Sequence, residues 1–160
     1  MIATISAAMP MIPNKRSRSS RTPSPNSADI WVPKILVIDD DPMFCYAFQR
    51  FARLRQVPVN TFDSFGDFEK ERNWSYDMVI MDYDLGSLDG VEFAEYIEDT
   101  IGYVPTLMIS STDRQQDYDS PWPEIIEGFS NKKKGLDNIF DDAIRTYAIG
   151  RMRRKDRFFR

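Results

Sequence analysis

The chain has 160 residues, of which 42% are hydrophobic and 13% aromatic, a composition that suits one domain with an ordinary core. Its single cysteine, Cys45, excludes an internal disulfide and fits a reducing cytoplasmic location, and the lack of histidine excludes histidine-based triads and histidine metal sites. No run of about 18 apolar residues occurs, so we expect no membrane span.

The charge is unevenly distributed along the chain. Residues 1–30 hold four basic residues and one acidic residue, net +3, whereas residues 31–160 hold 17 basic and 24 acidic residues, net −7. Residues 1–32 are also rich in serine and proline, which predicts a disordered basic tail. Four basic residues make a weak phosphate-binding patch, so we do not expect a nucleic-acid partner.

Strands and helices are predicted to alternate five times, which implies a doubly wound parallel α/β sheet. The strands are predicted at residues 35–38, 57–62, 77–81, 106–109 and 128–131. Helices are predicted to begin at Asp41-Pro42, Ser64, Asp89-Gly90 and Leu136, and Gly102 is predicted to end the third.

One predicted helix is irregular, and one extends beyond the domain. Residues 111–127 include Pro121-Trp122-Pro123, which cannot lie inside a helix, so a fourth helix there would be short or displaced. Residues 151–160 are basic and aromatic and read as a solvated extension of the last helix, with a docking segment as the alternative.

Carboxylates follow two of the apolar runs. Asp39 and Asp40 come directly after the first strand, and Asp82 comes after the third. If these strands are parallel neighbours, the three side chains meet at the sheet edge where ligands bind in such folds. Like charges at close range repel, and a hard cation would neutralise them. The sequence therefore predicts a Mg²⁺ site.

The order of these and three further residues resembles the receiver domain of two-component response regulators, of the stand-alone type. Besides Asp39, Asp40 and Asp82, the matching residues are Ser110 at the end of the fourth strand, Lys132 after the fifth strand, and Phe129 three positions before that lysine. The resemblance implies a flavodoxin-like sheet in the order 2-1-3-4-5, with a receiver domain over residues 33–150.

The resemblance also implies a role for each residue. Asp82 would accept a phosphoryl group, and Mg²⁺ would be held by Asp39, Asp40, Asp82 and the backbone carbonyl of Asp84. Lys132 and Ser110 would contact the phosphoryl oxygens, and Ser110 and Phe129 would form the switch.

The resemblance further implies the partners. The donor would be a histidine kinase or a histidine phosphotransfer protein, because this chain has no histidine of its own. A downstream protein would bind the face formed by the fourth helix, the fifth strand and the last helix.

Three positions depart from the family pattern. Lys133 stands where the family usually has proline, Ser111 stands where it usually has alanine or glycine, and Asp84 adds a carboxylate. These departures bear on the lifetime of the phosphorylated form and on the partner face.

Two other functions remain open from the sequence. A pseudo-receiver would keep the fold as a binding module without being phosphorylated. A haloacid-dehalogenase-like phosphatase shares the pattern Asp82-Tyr83-Asp84-Leu85-Gly86, but that family places it on its first strand. The main prediction is a signalling module and not an enzyme.

Overall fold

The computed structural model describes residues 32–72, 74–86, 88–113 and 122–158. The predicted basic tail therefore lies outside the described residues except for Val32, and so does most of the segment where a fourth helix was considered. The described part forms one compact unit.

Five strands form a single parallel sheet. They are β1 Ile35–Ile38, β2 Val59–Phe62, β3 Met78–Asp82, β4 Thr106–Ser110 and β5 Ile126–Asn131. Their order is β2-β1-β3-β4-β5, which confirms the predicted fold class. The helices are α1 Pro42–Leu54, α2 Phe65–Lys70, α3 Gly90–Ile101 and α4 Leu136–Phe158, and a 3-10 helix spans Lys132–Lys134.

Helices cover both faces of the sheet. One core cluster joins α1 and α4 to the sheet through side chains such as Phe48, Phe140 and Ile80. The other joins α2 and α3 to the opposite face through Phe68, Phe93 and Met81. The strand residues of β1, β3 and β4 are buried on both faces, which explains why these strands read as continuous apolar runs.

The bounds of four strands differ from the sequence prediction. β2 begins at Val59 because Val57 and Pro58 serve the turn after α1: the Val57 amide donates to the Ala52 carbonyl, and the Pro58 carbonyl accepts from Ile35. β3 begins and ends one residue later than predicted and so includes Asp82. β4 extends one residue further and includes Ser110.

The fourth strand that differs is β5, which begins at Ile126, two residues before the predicted start. Thr106 pairs with Ile126 but Leu107 pairs with Gly128, so Glu127 is an extra residue in the ladder. Ile126 and Phe129 consequently join the same core cluster, although an odd separation would place them on opposite faces of a regular strand. Because the bulge breaks the alternation of side chains, the sequence pattern did not indicate where the strand begins.

The bulged Glu127 anchors the far end of α4. Its side chain is 2% exposed, accepts a hydrogen bond from the Tyr103 hydroxyl, and lies 3.3 Å from the Arg153 guanidinium. Arg154 donates to the Tyr103 carbonyl at 3.0 Å. α4 therefore continues past residue 150 in contact with β5 and the loop before β4. None of the helices in the described ranges is both long and apolar enough to cross a membrane.

Local capping aligns two helices with the sheet edge where the carboxylates lie. Asp41 caps α1 by accepting from the Met43 amide, with Pro42 in the first turn. Asp89 and Glu92 form a reciprocal capping box at the start of α3. Both caps lie just beyond the carboxyl ends of β1 and β3.

Candidate functional site

The three predicted carboxylates meet at the carboxyl edge of the sheet. β1 and β3 are parallel neighbours with Ile38 beside Met81, so Asp39 and Asp82 follow them at the same level. One carboxylate oxygen from each of Asp39, Asp40 and Asp82 lies within 4.8 Å of the others. Asp39 and Asp82 are buried, at 0% and 5% exposure, and Asp40 is exposed.

Lys132, which directly follows the edge strand β5, also contacts these carboxylates. Its ammonium donates a hydrogen bond to Asp82 Oδ2 at 2.9 Å and forms an ion pair with Asp39 Oδ2 at 2.7 Å. Its side chain is only 16% exposed. The lysine therefore links the two buried carboxylates, which belong to different strands.

The electrostatics of the site reflect burial. Burial raises the pKa of Asp82 to about 6, against the opposing hydrogen bond from Lys132. Burial also raises the pKa of Asp39, opposed by Lys132 and the Asp41 amide. Burial alone would lower the pKa of Lys132, but its contacts with Asp39 and Asp82 raise it overall. One lysine thus compensates the buried carboxylates only in part.

The donor set fits a divalent cation. Three carboxylates and one ammonium leave a net charge of −2 at the site when all are ionised. Asp39 Oδ2 meets Lys132 outside good hydrogen-bond geometry, which leaves acceptor capacity on a buried oxygen. Hard carboxylate oxygens are the ligands that Mg²⁺ prefers. The backbone at Asp84 lies in the loop after β3, where it pairs with Asp89 in an isolated bridge.

Ser110 ends β4 next to the site, and its hydroxyl is already engaged. In the β3–β4 ladder Ile109 lies beside Asp82, so Ser110 is one residue further along. The Ser110 Oγ lies 3.3 Å from Thr112 Oγ1 and accepts from the Thr112 amide at 3.2 Å. The residue is fully buried. Thr112 was not predicted as part of the site.

Phe129 lies on the α3 face of the sheet, away from α4. It is half-buried and packs edge-on against Trp122, with ring centroids 6.0 Å apart. The structure thus places the predicted switch aromatic in contact with the irregular segment before β5.

Phe44 is a second contact that the sequence did not indicate. It packs against the core cluster that joins α1 and α4 to the sheet. Its ring also faces the Lys132 ammonium, 4.9 Å from the centroid. No local sequence signal distinguishes a core phenylalanine from one that also supports a lysine.

Comparison with protein families agrees with this geometry. Residues 35–141 match the response regulator receiver domain. The chain belongs to the response regulator receiver domain family. The matched range includes all the site residues described above, and its last residue lies inside α4. Comparison with curated protein sequences found no match.

Solved receiver domains share the fold at low identity. The response regulator protein TrrA from Thermotoga maritima, solved in complex with Mg²⁺-BeF, is 18% identical with a TM-score of 0.62, over 72% of this chain and 99% of that one. A receiver domain protein from Clostridium thermocellum is 18% identical with a TM-score of 0.63, over 76% and 98%. One from Methanospirillum hungatei is 13% identical with a TM-score of 0.62, over 77% and 99%.

Proposed function

We propose that this receiver domain accepts a phosphoryl group on Asp82 from a phosphohistidine donor, with Mg²⁺ held by Asp39, Asp40, Asp82 and the backbone carbonyl of Asp84. The observation that carries the proposal is the Asp82 carboxylate at the end of β3, within 4.8 Å of two further carboxylates and 2.9 Å from Lys132. The family is a signalling module, so no turnover of an external substrate is expected.

For phosphoryl transfer to Asp82, the protein mainly has to position the reacting groups and neutralise their charge. One oxygen of Asp82 forms a bond to phosphorus while the P–N bond to the donor imidazole breaks, and the electron pair of that bond stays on the ring nitrogen. A bound Mg²⁺ would supply positive charge for the phosphoryl oxygens. Lys132 supplies a second positive charge and lies 2.9 Å from Asp82 Oδ2, close enough to contact an acyl phosphate formed there.

The switch would start at Ser110. A phosphoryl group on Asp82 adds strong acceptor oxygens, and the Ser110 hydroxyl is the nearest donor at the end of the adjacent strand. To reach them, the Ser110 hydroxyl would turn from Thr112 towards Asp82. The movement would make room for Phe129, which contacts Trp122, so the change would reach the face of β5 and the segment before it.

The partners and location follow from the same proposal. The donor is a histidine kinase or a histidine phosphotransfer protein in the cytoplasm, because the chain offers no histidine for an internal relay. A downstream protein would bind the side formed by the segment before β5, β5 itself and α4.

Labelling by a small phosphodonor tests the proposal. With acetyl phosphate and Mg²⁺, intact-mass spectrometry should show one added phosphoryl group on the wild type and none on Asp82→Asn. Asp63→Asn is the matched control, because Asp63 follows β2 at the same sheet edge and is exposed. Continued labelling of Asp82→Asn would place the acceptor elsewhere, for example on Asp84. No labelling of the wild type would favour a pseudo-receiver, and continuous ester turnover would favour a phosphatase.

Metal binding is tested separately. Asp40→Asn should weaken Mg²⁺ binding by roughly tenfold or more, because it removes one of three carboxylate ligands. Asp41→Asn is the control, since asparagine also caps helices and Asp41 caps α1 without joining the cluster. Equal affinity of Asp40→Asn and wild type in isothermal titration would contradict the metal assignment.

A further inference from the structure

Lys132 has to cross a wide part of the sheet to make its contacts. Strands in a sheet lie about 4.8 Å apart, so β5 and β3 are separated by roughly 10 Å, and β1 lies beyond β3. Lys132 directly follows β5, yet its ammonium is 2.9 Å from Asp82 on β3 and 2.7 Å from Asp39 after β1. The lysine makes both contacts only if its side chain points across the sheet edge, so the direction in which the backbone leaves β5 matters.

The 3-10 helix Lys132–Lys134 sets this direction, and Asn131 caps its start. Asn131 is the last residue of β5, and its side-chain carbonyl accepts from the Lys133 amide at 2.9 Å. Such a contact turns the chain sharply within two residues. The Lys133 amide is a donor that proline would lack. The lysine therefore leaves the strand through an asparagine-capped turn in which Lys133 has a defined backbone role.

The other end of the turn is fixed as well. Gly135 has a φ of 83°, its amide donates to the Lys132 carbonyl, and Asn138 donates to the Lys134 carbonyl. The Phe44 ring then meets the lysine ammonium from α1. Backbone and side chain of Lys132 are thus held from independent directions.

We propose that Asn131 is a positioning residue for phosphoryl transfer: it sets the turn that delivers Lys132 to Asp82, and Phe44 supports the ammonium there. This inference rests on the proposed phosphoacceptor function. Asn131 touches neither carboxylate in any described contact and acts through Lys132 alone. Misplacing a charged group by a fraction of an ångström to an ångström costs up to about a hundredfold in rate.

The test measures the rate of labelling by acetyl phosphate and Mg²⁺ on the full chain. Asn131→Ala should slow labelling by roughly tenfold or more, and Asn131→Asp should restore most of the rate because aspartate caps the same turn. Lys133→Ala is the matched control, since it removes a side chain from the turn but keeps the amide that Asn131 accepts from.

A double-mutant cycle separates positioning from a general structural effect. In a Lys132→Ala background, Asn131→Ala should cause no further slowing, because the group it positions is gone. Slowing that adds fully to that of Lys132→Ala, or a wild-type rate for Asn131→Ala, would overturn the inference. Should Asn131→Ala fail to fold, Asn131→Gln, whose longer side chain does not match the turn, carries the same cycle with the same two outcomes.

The outcome also separates this inference from the function on which it rests. If Lys132→Ala labels at the wild-type rate, the proposed role of the lysine itself is wrong. If Lys132→Ala is slow and Asn131→Ala is not, the phosphoacceptor function stands and only the positioning role of Asn131 fails.

Discussion

Asp82 is a buried carboxyl whose ionisation carries a cost. Its pKa is raised by burial to about 6, whereas an aspartate in an unfolded chain titrates near 3.9. Between these values the folded state holds a proton that the unfolded state has lost, so the free energy of unfolding falls as the pH rises. Above pH 6 the penalty is complete, and it reaches at most about 3 kcal/mol.

Asp82→Asn should therefore stabilise the metal-free protein at neutral pH, by about 1 to 3 kcal/mol. The variant should also show a shallower loss of stability as the pH rises towards 6, with the remaining slope due in part to Asp39, whose pKa is raised too. Urea unfolding with a chelator present, repeated across this pH range, measures both effects. A variant that is less stable than wild type, with the wild-type slope, would contradict the assignment of this penalty to Asp82.

Some of the site residues could be predicted from the sequence, and others could not. Asp39, Asp40 and Asp82 could be expected to meet, because each follows an apolar run that reads as a buried strand and parallel strands end at a common edge. Phe44 and Thr112 could not, because their contacts with Lys132 and Ser110 depend on how α1 and the β4 loop pack. The sequence pattern predicts the order of the strands, but it does not predict the direction in which a side chain points.

At the scale of elements, α3 approaches β3 so closely that only glycine fits at its first position. A Cβ on Gly90 would lie 2.3 Å from the Asp82 carbonyl oxygen and 3.0 Å from the Tyr83 Cα. Both are backbone atoms, so the helix itself would have to shift. The capping box that begins α3 depends on the same geometry.

Gly90→Ala should destabilise the protein by about 1 to 3 kcal/mol and slow phosphoryl labelling, because it moves the backbone that carries Asp82. Gly66→Ala is the control: it lies in α2, its added Cβ would meet only the Ser64 hydroxyl at 3.9 Å, and alanine should there be neutral or stabilising by up to about 1 kcal/mol. Equal stabilities of the two variants in urea unfolding would show that the close approach does not matter.

The end of α1 shows the opposite case, a position where glycine would suit the backbone and is missing. Gln56 has a φ of 59°, and the Val57 amide donates to the Ala52 carbonyl in the pattern of a helix C-terminal motif that usually carries glycine. Gln56→Gly should raise the free energy of unfolding by up to about 1 kcal/mol by relieving the left-handed strain. Leu54→Gly, inside the last turn, should instead destabilise, and a loss of stability in Gln56→Gly would contradict this account.

Strands and helices were predictable from the sequence where their residues serve one structural role, such as burial in the core or helix capping. β1, β3 and β4 are buried on both faces and stood out as apolar runs, and α1 and α3 began at the expected caps. β5 was predicted too short because Glu127 bulges out to meet Tyr103 and Arg153, which interrupts the alternation of the strand. The start of β5 was missed because it depends on contacts between residues that are far apart in the sequence.

At the scale of the molecule, the carboxylate site and the Trp122–Phe129 pair lie at separate places that β4 and β5 connect. Ser110 and Asn131 pair at the site end of these two strands, and Met108 pairs with Phe129 two residues back. A rearrangement at Ser110 can therefore reach Phe129 through paired strands. Trp74 offers an internal comparison, because it packs with Phe68 and Tyr76 on the α2 side.

We predict that beryllofluoride with Mg²⁺ changes the environment of Trp122 more than that of Trp74. Beryllofluoride stands in for a phosphoryl group on Asp82, so it should draw the Ser110 hydroxyl from Thr112 and let Phe129 leave its edge-on contact with Trp122. A few kcal/mol of differential binding is enough to shift such a two-state contact almost completely. Single-tryptophan variants that keep either Trp122 or Trp74 allow each ring to be followed by fluorescence.

Two controls decide whether a signal at Trp122 reports the switch. Asp82→Asn should abolish the change, because no aspartyl adduct can form, and Ser110→Ala should reduce it while beryllofluoride still binds, because the hydroxyl that links the adduct to β4 is gone. A response of Trp122 that survives in Ser110→Ala at full size would move the coupling route away from β4. If Asp82 binds beryllofluoride while Trp122 stays silent, the chain keeps the acceptor chemistry but passes no signal along β4 to β5, and the partner face must then lie elsewhere.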